Sequence, residues 1–378
     1  MQKQLSCFTN LQVASFFGGI NTKIIDGTII AKNIRDLLAK EIKERSRMTS
    51  TIISPHLVII QVGNREDSNL YVRQKQKAAQ EVGIKYTLCK KDENITENEL
   101  LKIISEYNNN SSIHGILVQL PLPNHIDQKT ITESVDPNKD VDGFHTYNIG
   151  SLAKRSNQPL FLPCTTKAII ELLNQAEIEI RGKQAIVIGR SDVVGIPTFL
   201  SLSHLDATVT LCHSKTENLN EIVKTGDIIV VAIGKPKFIK GDWIKPGAII
   251  IDVGTNPIKD PSKKYGVRWV GDVDFVGASK VASYITPVPG GVGPMTVAML
   301  LRNTFETLVP VVYLDFVVIE YQVYVDIEVE NKLEVHHINA IPSISKEPDT
   351  ELKKSSAFSL KDIPPTFSVE PLLPEGES

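Results

Sequence analysis

Tyr71 and Lys75 stand four residues apart in a stretch of helical pattern, so both side chains project from one face. A lysine amine held away from water loses basicity and can exchange a proton near neutral pH. The plain alternative is a snorkelling lysine beside a half-buried tyrosine. Against it, the helix follows directly on a strand and loop, where α/β proteins gather their sites. Arg73 and Lys77 also supply a solvated basic flank on the opposite side of that helix, which sets Lys75 apart from them. Gln119 lies in the apolar run Ile116-Leu-Val-Gln-Leu120. A buried amide needs partners, either backbone that it ties down or a polar group of a site. Asp140 and Asp142 flank Val141 just ahead of Gly143. They read as a surface carboxylate loop, or as two ligands of a metal for which no nearby set of His and acids completes the shell. The eight histidines are scattered, and metal catalysis is not expected.

A second constellation concerns phosphate. In Gln184-Ala-Ile-Val-Ile-Gly-Arg-Ser-Asp-Val-Val-Gly-Ile-Pro197 an apolar strand ends in Gly189, and Gly195 stands just ahead of Ile196 and Pro197. Strand, tight glycine turn and helix N-terminus present free backbone N–H groups to an anion. Ser191 replaces the middle glycine of the dinucleotide fingerprint and Gly195 comes one position late, so the motif is weak by itself. The next strand, residues 207–214, ends in His213 and Ser214 with Lys215 behind them, where NAD enzymes carry an acid for the ribose hydroxyl. No carboxylate stands there to repel a 2′-phosphate, and Arg190 can pair with one. NADP is therefore expected rather than NAD.

The elements that must position these residues alternate. A helix is expected from Asp26-Gly27-Thr28 with Thr28 as N-cap, a strand over 56–62, and a helix over 69–82 capped by Ser68 and stopped by Gly83. Strand 84–90, a capping box at Thr96 and Glu99 before a helix, and strand 114–120 come next. Thr165 or Thr166 is expected to cap helix 167–173 beyond a proline-bounded connector, residues 159–163. After the strand ending at Gly189, further strands are expected over 227–233, 248–253 and 269–272. Residues 284–294, rich in proline and glycine, are expected to be irregular before a helix over 295–308. This order gives an α/β protein with a parallel sheet covered by helices. From residue 309 the chain becomes β-prone, and beyond residue 333 its Ser, Pro, Glu and Lys content is that of a disordered segment.

The 378 residues suffice for two domains and a tail, and a net charge of −3 points away from nucleic acid. Four dispersed cysteines fit a reducing compartment, and no apolar run is long enough to span a membrane. Residues 1–22 lack acids but also lack arginine, so they read as a short extension rather than a presequence; cytoplasm is expected, with mitochondrion as the alternative.

Five motifs then occur in order: Tyr71-Val-Arg-Gln-Lys75, Gly115-Ile-Leu-Val-Gln-Leu-Pro-Leu-Pro123, Lys139-Asp-Val-Asp-Gly-Phe144, Gly189-Arg-Ser191 and Pro287-Val-Pro-Gly-Gly-Val-Gly-Pro-Met-Thr296. Together they resemble the methylenetetrahydrofolate dehydrogenase/methenyltetrahydrofolate cyclohydrolase family, over about residues 23–307. The resemblance implies two α/β lobes with a cleft between them. A folate-binding catalytic lobe spans 23–162 and is completed by helix 295–308; a Rossmann-like NADP lobe spans 163–294. It implies Lys75 as the catalytic lysine, Tyr71 against the pterin, Gln119 on the lysine, and Asp142 on the amino-pyrimidine edge. Val118 and Leu120 flank Gln119 as substrate contacts, and Pro289, Gly290, Gly291, Val292 and Gly293 match the folate loop. Gly189, Arg190, Ser191, Gly195, Ser214 and Thr255 match the NADP positions. A bifunctional homodimer is implied. The alternatives are a dehydrogenase without the hydrolase step, or a folate- or nucleotide-binding relic with a partner-binding tail. The segment 309–378 has no counterpart in the resemblance.

Overall fold

A computed structural model describes residues 21–48, 54–263 and 266–308. All of them belong to one compact unit. The expected extension, but for its last two residues, and the β-prone and disordered tail also fall outside the described residues.

In chain order the first part runs β1 (Lys23–Ile24), α1 (Gly27–Met48), β2 (His56–Val62), α2 (Glu66–Val82), β3 (Lys85–Lys91), α3 (Glu97–Asn108), β4 (Gly115–Val118), α4 (Gln128–Glu133) and α5 (Thr146–Ala153). The second runs α6 (Cys164–Gln175), β5 (Gln184–Ile188), α7 (Gly195–His204), β6 (Thr208–Cys212), α8 (Leu219–Val223), β7 (Ile228–Val231), β8 (Ile249–Asp252), β9 (Asn256–Lys259), β10 (Val267–Val270), α9 (Phe275–Ala278), β11 (Tyr284–Ile285) and α10 (Val292–Glu306).

The first lobe is built on a parallel sheet in the order β3-β2-β4. Every residue of β2 is buried, as an apolar strand must be when it has neighbours on both edges and helices over its faces. The second lobe carries six parallel strands in the order β6-β5-β7-β8-β11-β1. From β5 the chain moves to β6 on one side and returns to β7 on the other. The C-terminal ends of β5 and β7 therefore form a topological switch point, where open α/β sheets bind ligands.

Neither lobe is a single run of chain. Lys23–Ile24, counted with the first lobe on sequence, is an edge strand of the second lobe's sheet. α10 returns to pack on α1, α2 and α6, burying Met295, Ala298, Leu300, Leu301 and Phe305. Arg302 fixes the return through two 2.8 Å bonds to the Glu41 carboxylate on α1.

Several expected boundaries move. Asp26, not Thr28, caps α1: its Oδ1 accepts the Thr28 and Ile29 N–H groups, and a carboxylate outcompetes a hydroxyl for that position. α2 starts at Glu66 after Arg65 with no side-chain cap, leaving Ser68 buried inside its first turn. The Gly83 stop and the Thr96–Glu99 capping box are as expected. β4 ends at Val118, so Gln119 lies just past the strand. α6 starts at Cys164 behind Pro163, placing Thr165 and Thr166 in its first turn rather than at its cap; the buried Thr166 hydroxyl meets that of Thr198 on α7 at 3.2 Å. Residues 269–272 do not join the parallel sheet. Val267–Val270 pairs antiparallel with Asn256–Lys259 in a separate ribbon. Residues 284–285 form a strand, and α10 begins at Val292, so the expected irregular stretch is shorter. Pro294 costs nothing there, because the first turn of a helix has no N–H bond for it to lose.

Candidate active site

Lys75 projects from α2 toward the residues that leave β4, and its Nζ donates to Gln119 Oε1 at 3.1 Å. Gln119 is held at both ends: its N–H donates to Ile60 O at 2.8 Å, and its Nε2 to Leu120 O at 2.8 Å. With the amide nitrogen spent on backbone, the oxygen is left to face the lysine. The Lys75 stem is half-buried, but burial of the ammonium lowers its pKa, opposed by the nearby Asp142 carboxylate. Asp142 shows the reciprocal effect. Burial raises its carboxyl to about 6, against the pull of Lys75. Each group therefore holds its charge less firmly than it would in water, as a site that exchanges protons requires.

The two aspartates have different duties. Asp140 is buried, and its carboxylate accepts the Gly143 N–H at 3.1 Å, the His145 N–H at 2.8 Å and the Asn148 amide at 2.9 Å. It holds the turn that presents Asp142, so the reading of these residues as a surface carboxylate loop is corrected. Among the described residues no group of three His, Cys, Asp or Glu is placed to hold a metal ion.

Sequence reasoning missed the supports of this turn. Cys164, at the start of α6, is buried, and its Sγ lies 3.1 Å from Val141 O. Asn303 of α10 donates to Val141 O at 2.9 Å and Leu162 O at 3.1 Å. Lys167 in turn donates to Asn303 Oδ1 at 2.8 Å and pairs with Glu306 at 2.6 Å. Burial opposes the charge on Glu306, yet Lys167 and Arg302 hold its carboxyl below the usual range. The loop before α10 is docked just as firmly. Gly290 O accepts the Thr28 N–H at 3.0 Å, and a Cβ on Gly27 would collide with Gly291 O. Pro289, Gly290 and Gly291 precede α10, while Val292 and Gly293 form its first turn.

The second constellation sits at the switch point. Gly189 has φ 123°, and a Cβ there would strike Ala232 O at the end of β7. A Cβ on Gly195 would strike Gly189 O, so the strand end and the helix start approach as closely as bare backbone permits. The Ser191 hydroxyl accepts the Gly195 N–H at 3.4 Å. Arg190 and Ser191 are exposed at the mouth of this turn, as are Ser214 beyond β6 and Thr255 beyond β8. A glycine-lined turn at the N-terminus of α7, with an exposed Arg190 and with His213 and Ser214 rather than an acid at the end of β6, fits a phosphorylated dinucleotide.

Two family models match the chain. "Tetrahydrofolate dehydrogenase/cyclohydrolase, catalytic domain" covers residues 25–142. "Tetrahydrofolate dehydrogenase/cyclohydrolase, NAD(P)-binding domain" covers residues 163–310. Among curated proteins, "Bifunctional protein FolD 4, chloroplastic" of Arabidopsis thaliana is 55% identical over 75% of this chain and 78% of that protein. "Bifunctional protein FolD 2" of the same plant is 52% identical over 75% of this chain and 94% of that protein. Among solved structures, the methylenetetrahydrofolate dehydrogenase-cyclohydrolase of Trypanosoma brucei, complexed with NADP cofactor and inhibitor, is 44% identical with a TM-score of 0.73. That match covers 76% of this chain and 97% of the other.

Proposed function

This chain belongs to the tetrahydrofolate dehydrogenase/cyclohydrolase family and is a bifunctional methylenetetrahydrofolate dehydrogenase and methenyltetrahydrofolate cyclohydrolase of one-carbon metabolism; within that activity we propose the residues that perform each step. Its second lobe is an NAD(P)-binding domain. The dinucleotide supplies the hydride acceptor when bound.

Oxidation removes hydride from the carbon that bridges two folate nitrogens, whose lone pairs stabilise the cation left behind. The protein's task is placement. Asp142 accepts from the amino-pyrimidine edge, Tyr71 lies against the pterin, and Val118, Leu120 and the loop of Pro289, Gly290, Gly291, Val292 and Gly293 enclose the folate. Water then adds to the methenyl carbon, and one ring C–N bond opens to give the 10-formyl product with release of a proton. Lys75, kept weakly basic by burial and steered by Gln119, carries the proton between water and the departing nitrogen. The observation that carries this reading is the 3.1 Å bond from an enclosed Lys75 ammonium to a Gln119 oxygen anchored on backbone.

We propose NADP as the preferred dinucleotide, with Arg190 and Ser214 at its 2′-phosphate and Gly189, Ser191, Gly195 and Thr255 around the rest. A homodimer and a cytoplasmic setting complete the proposal. Among the described residues no helix is long and apolar enough to cross a membrane. Incubating the purified chain with methylenetetrahydrofolate and each nicotinamide dinucleotide, while following reduction and 10-formyl product, tests the chemistry. Absence of 10-formyl product with dinucleotide reduction intact would overturn the role of Lys75. Sedimentation tests the dimer, and localisation of a tagged chain tests the compartment.

A further inference from the structure

Two buried carboxylates lie away from the folate residues, at the C-terminal edge of the second sheet. Asp252 closes β8, and Asp272 follows β10. Asp252 accepts the N–H groups of Gly254 at 3.0 Å, Asp272 at 2.9 Å and Val273 at 2.9 Å. Asp272 accepts those of Ile233 at 2.7 Å, Gly234 at 2.9 Å and Lys235 at 2.8 Å, together with the Asn256 amide at 2.8 Å. Every lone pair of Asp272 in its own plane is thus engaged, and its side chain is 0% exposed. Space is made for both groups. A Cβ on Gly254 would overlap the Asp272 carboxyl, and one on Gly271 would overlap that of Asp252.

The segments these carboxylates tie down are the two loops that border the switch point. Residues 233–235 directly follow Ala232, whose N–H donates to Ile188 O at 2.8 Å and whose carbonyl packs on Gly189. Gly254 and Asn256 bracket Thr255, which is exposed. Lys237 and Ile239 add backbone bonds to the carbonyls of Gly271 and Asp272, at 2.9 and 3.0 Å. A backbone N–H that points at an internal carboxylate cannot wander, and three chain segments share one anchor here.

We infer that Asp272, with Asp252 behind it, is a positioning residue for the dinucleotide: it sets the β7 and β8 loops against the glycine turn and so fixes how the cofactor lies. This rests on the proposed placing of the cofactor at Gly189, Arg190 and Thr255. An asparagine at position 272 keeps the shape but turns an N–H₂ group toward a backbone N–H, which pushes one loop out of register.

The chain's own second activity is the control, because hydrolysis of added methenyltetrahydrofolate needs no dinucleotide. In full-length Asp272→Asn the KM for NADP should rise about tenfold to a hundredfold, with the cyclohydrolase rate within about twofold of wild type. Asn256→Ala, a milder change that removes only the side-chain donor, should show the same split at about threefold. It keeps the test open if Asp272→Asn does not fold. An unchanged KM in either folded variant overturns the inference. So does a parallel fall of both activities in Asn256→Ala, which would make the pair a strut for the whole unit. Wild type and Arg190→Ala are measured alongside. Binding by the first and its loss in the second mean that an unchanged KM condemns the inference alone. A wild type that binds no dinucleotide overturns the cofactor placing and the inference with it.

Discussion

Asn303 and Val141 lie 162 residues apart in sequence, yet Asn303 Nδ2 donates to Val141 O at 2.9 Å, one residue before Asp142. The last described helix thus holds the turn that presents a proposed folate-binding carboxylate. Asn303→Ala would remove the amide donor from the half-buried Leu162 carbonyl and leave Val141 O with only the weaker Cys164 thiol. Stability should fall by about 1–3 kcal/mol, and the KM for folate should rise more than that for the dinucleotide. Thermal unfolding and steady-state kinetics check both.

Replacing Lys75 with Met keeps most of the stem and removes the amine. Cyclohydrolase activity should fall about 10²–10⁴-fold, dehydrogenase activity much less, and methenyltetrahydrofolate should accumulate in the coupled reaction. Methenyl absorbance reports the intermediate. Equal loss of both steps would mean that Lys75 chiefly binds folate.

Arg190→Ala should weaken NADP by about 1.5–3 kcal/mol while leaving NAD nearly untouched, since only NADP carries the extra phosphate. Paired titrations with the two dinucleotides decide it; an equal effect on both would assign Arg190 a structural role.

Burial lifts the Asp142 carboxyl to about 6. In the proposed site the ionised form accepts from the amino-pyrimidine edge, so kcat/KM for folate should fall as pH drops through that value. In Asp142→Asn this limb of the profile should vanish, at the cost of a uniformly weaker folate KM.

His56 and His114 share a buried site at the opposite end of the first sheet, with the His56 N–H donating to His114 Nδ1 at 3.0 Å. Burial lowers both pKa values from 6.5, aided by Lys85 at His56 and Lys139 at His114. As pH falls, the unfolded chain takes up protons first. Their contribution is therefore intact above pH 6.5 and is lost as pH drops through the folded values. His114→Asn, whose carbonyl can accept the same N–H, should show a shallower fall of unfolding temperature between neutral and mildly acid pH.

The legible parts of this protein are those written locally. β2 and β5 are apolar runs that bury completely or nearly so, and the glycines of the β5–α7 turn announce a backbone approach that no other residue permits. The helix starts were harder. Ser68 has the right chemistry for a cap, but Arg65 takes that position and gives α2 a further turn. Pro294 suggests a break, though a proline in the first turn of α10 displaces no bond. Least legible were Cys164, Asn303, Asp252 and Asp272. Each acts on chain remote in sequence, and none sits in a pattern of local spacing. The ribbon of β9 and β10 shows the same limit, since four-residue strands carry no sign of which partner they will take.

The second lobe's sheet ends in a strand from the beginning of the chain, and the first lobe is closed by a helix from the end of the described residues. Exchange of either lobe at a single cut is thereby ruled out. A cut near Pro163 yields one fragment without the buried face of α10 and another without β1. Swapping the nucleotide half between relatives would require three junctions, after β1, near Pro163 and before α10, with Lys23–Ile24 travelling with the distant piece. The span from β1 to α10 therefore folds as one piece, and a fusion partner fits only outside it or in a surface loop.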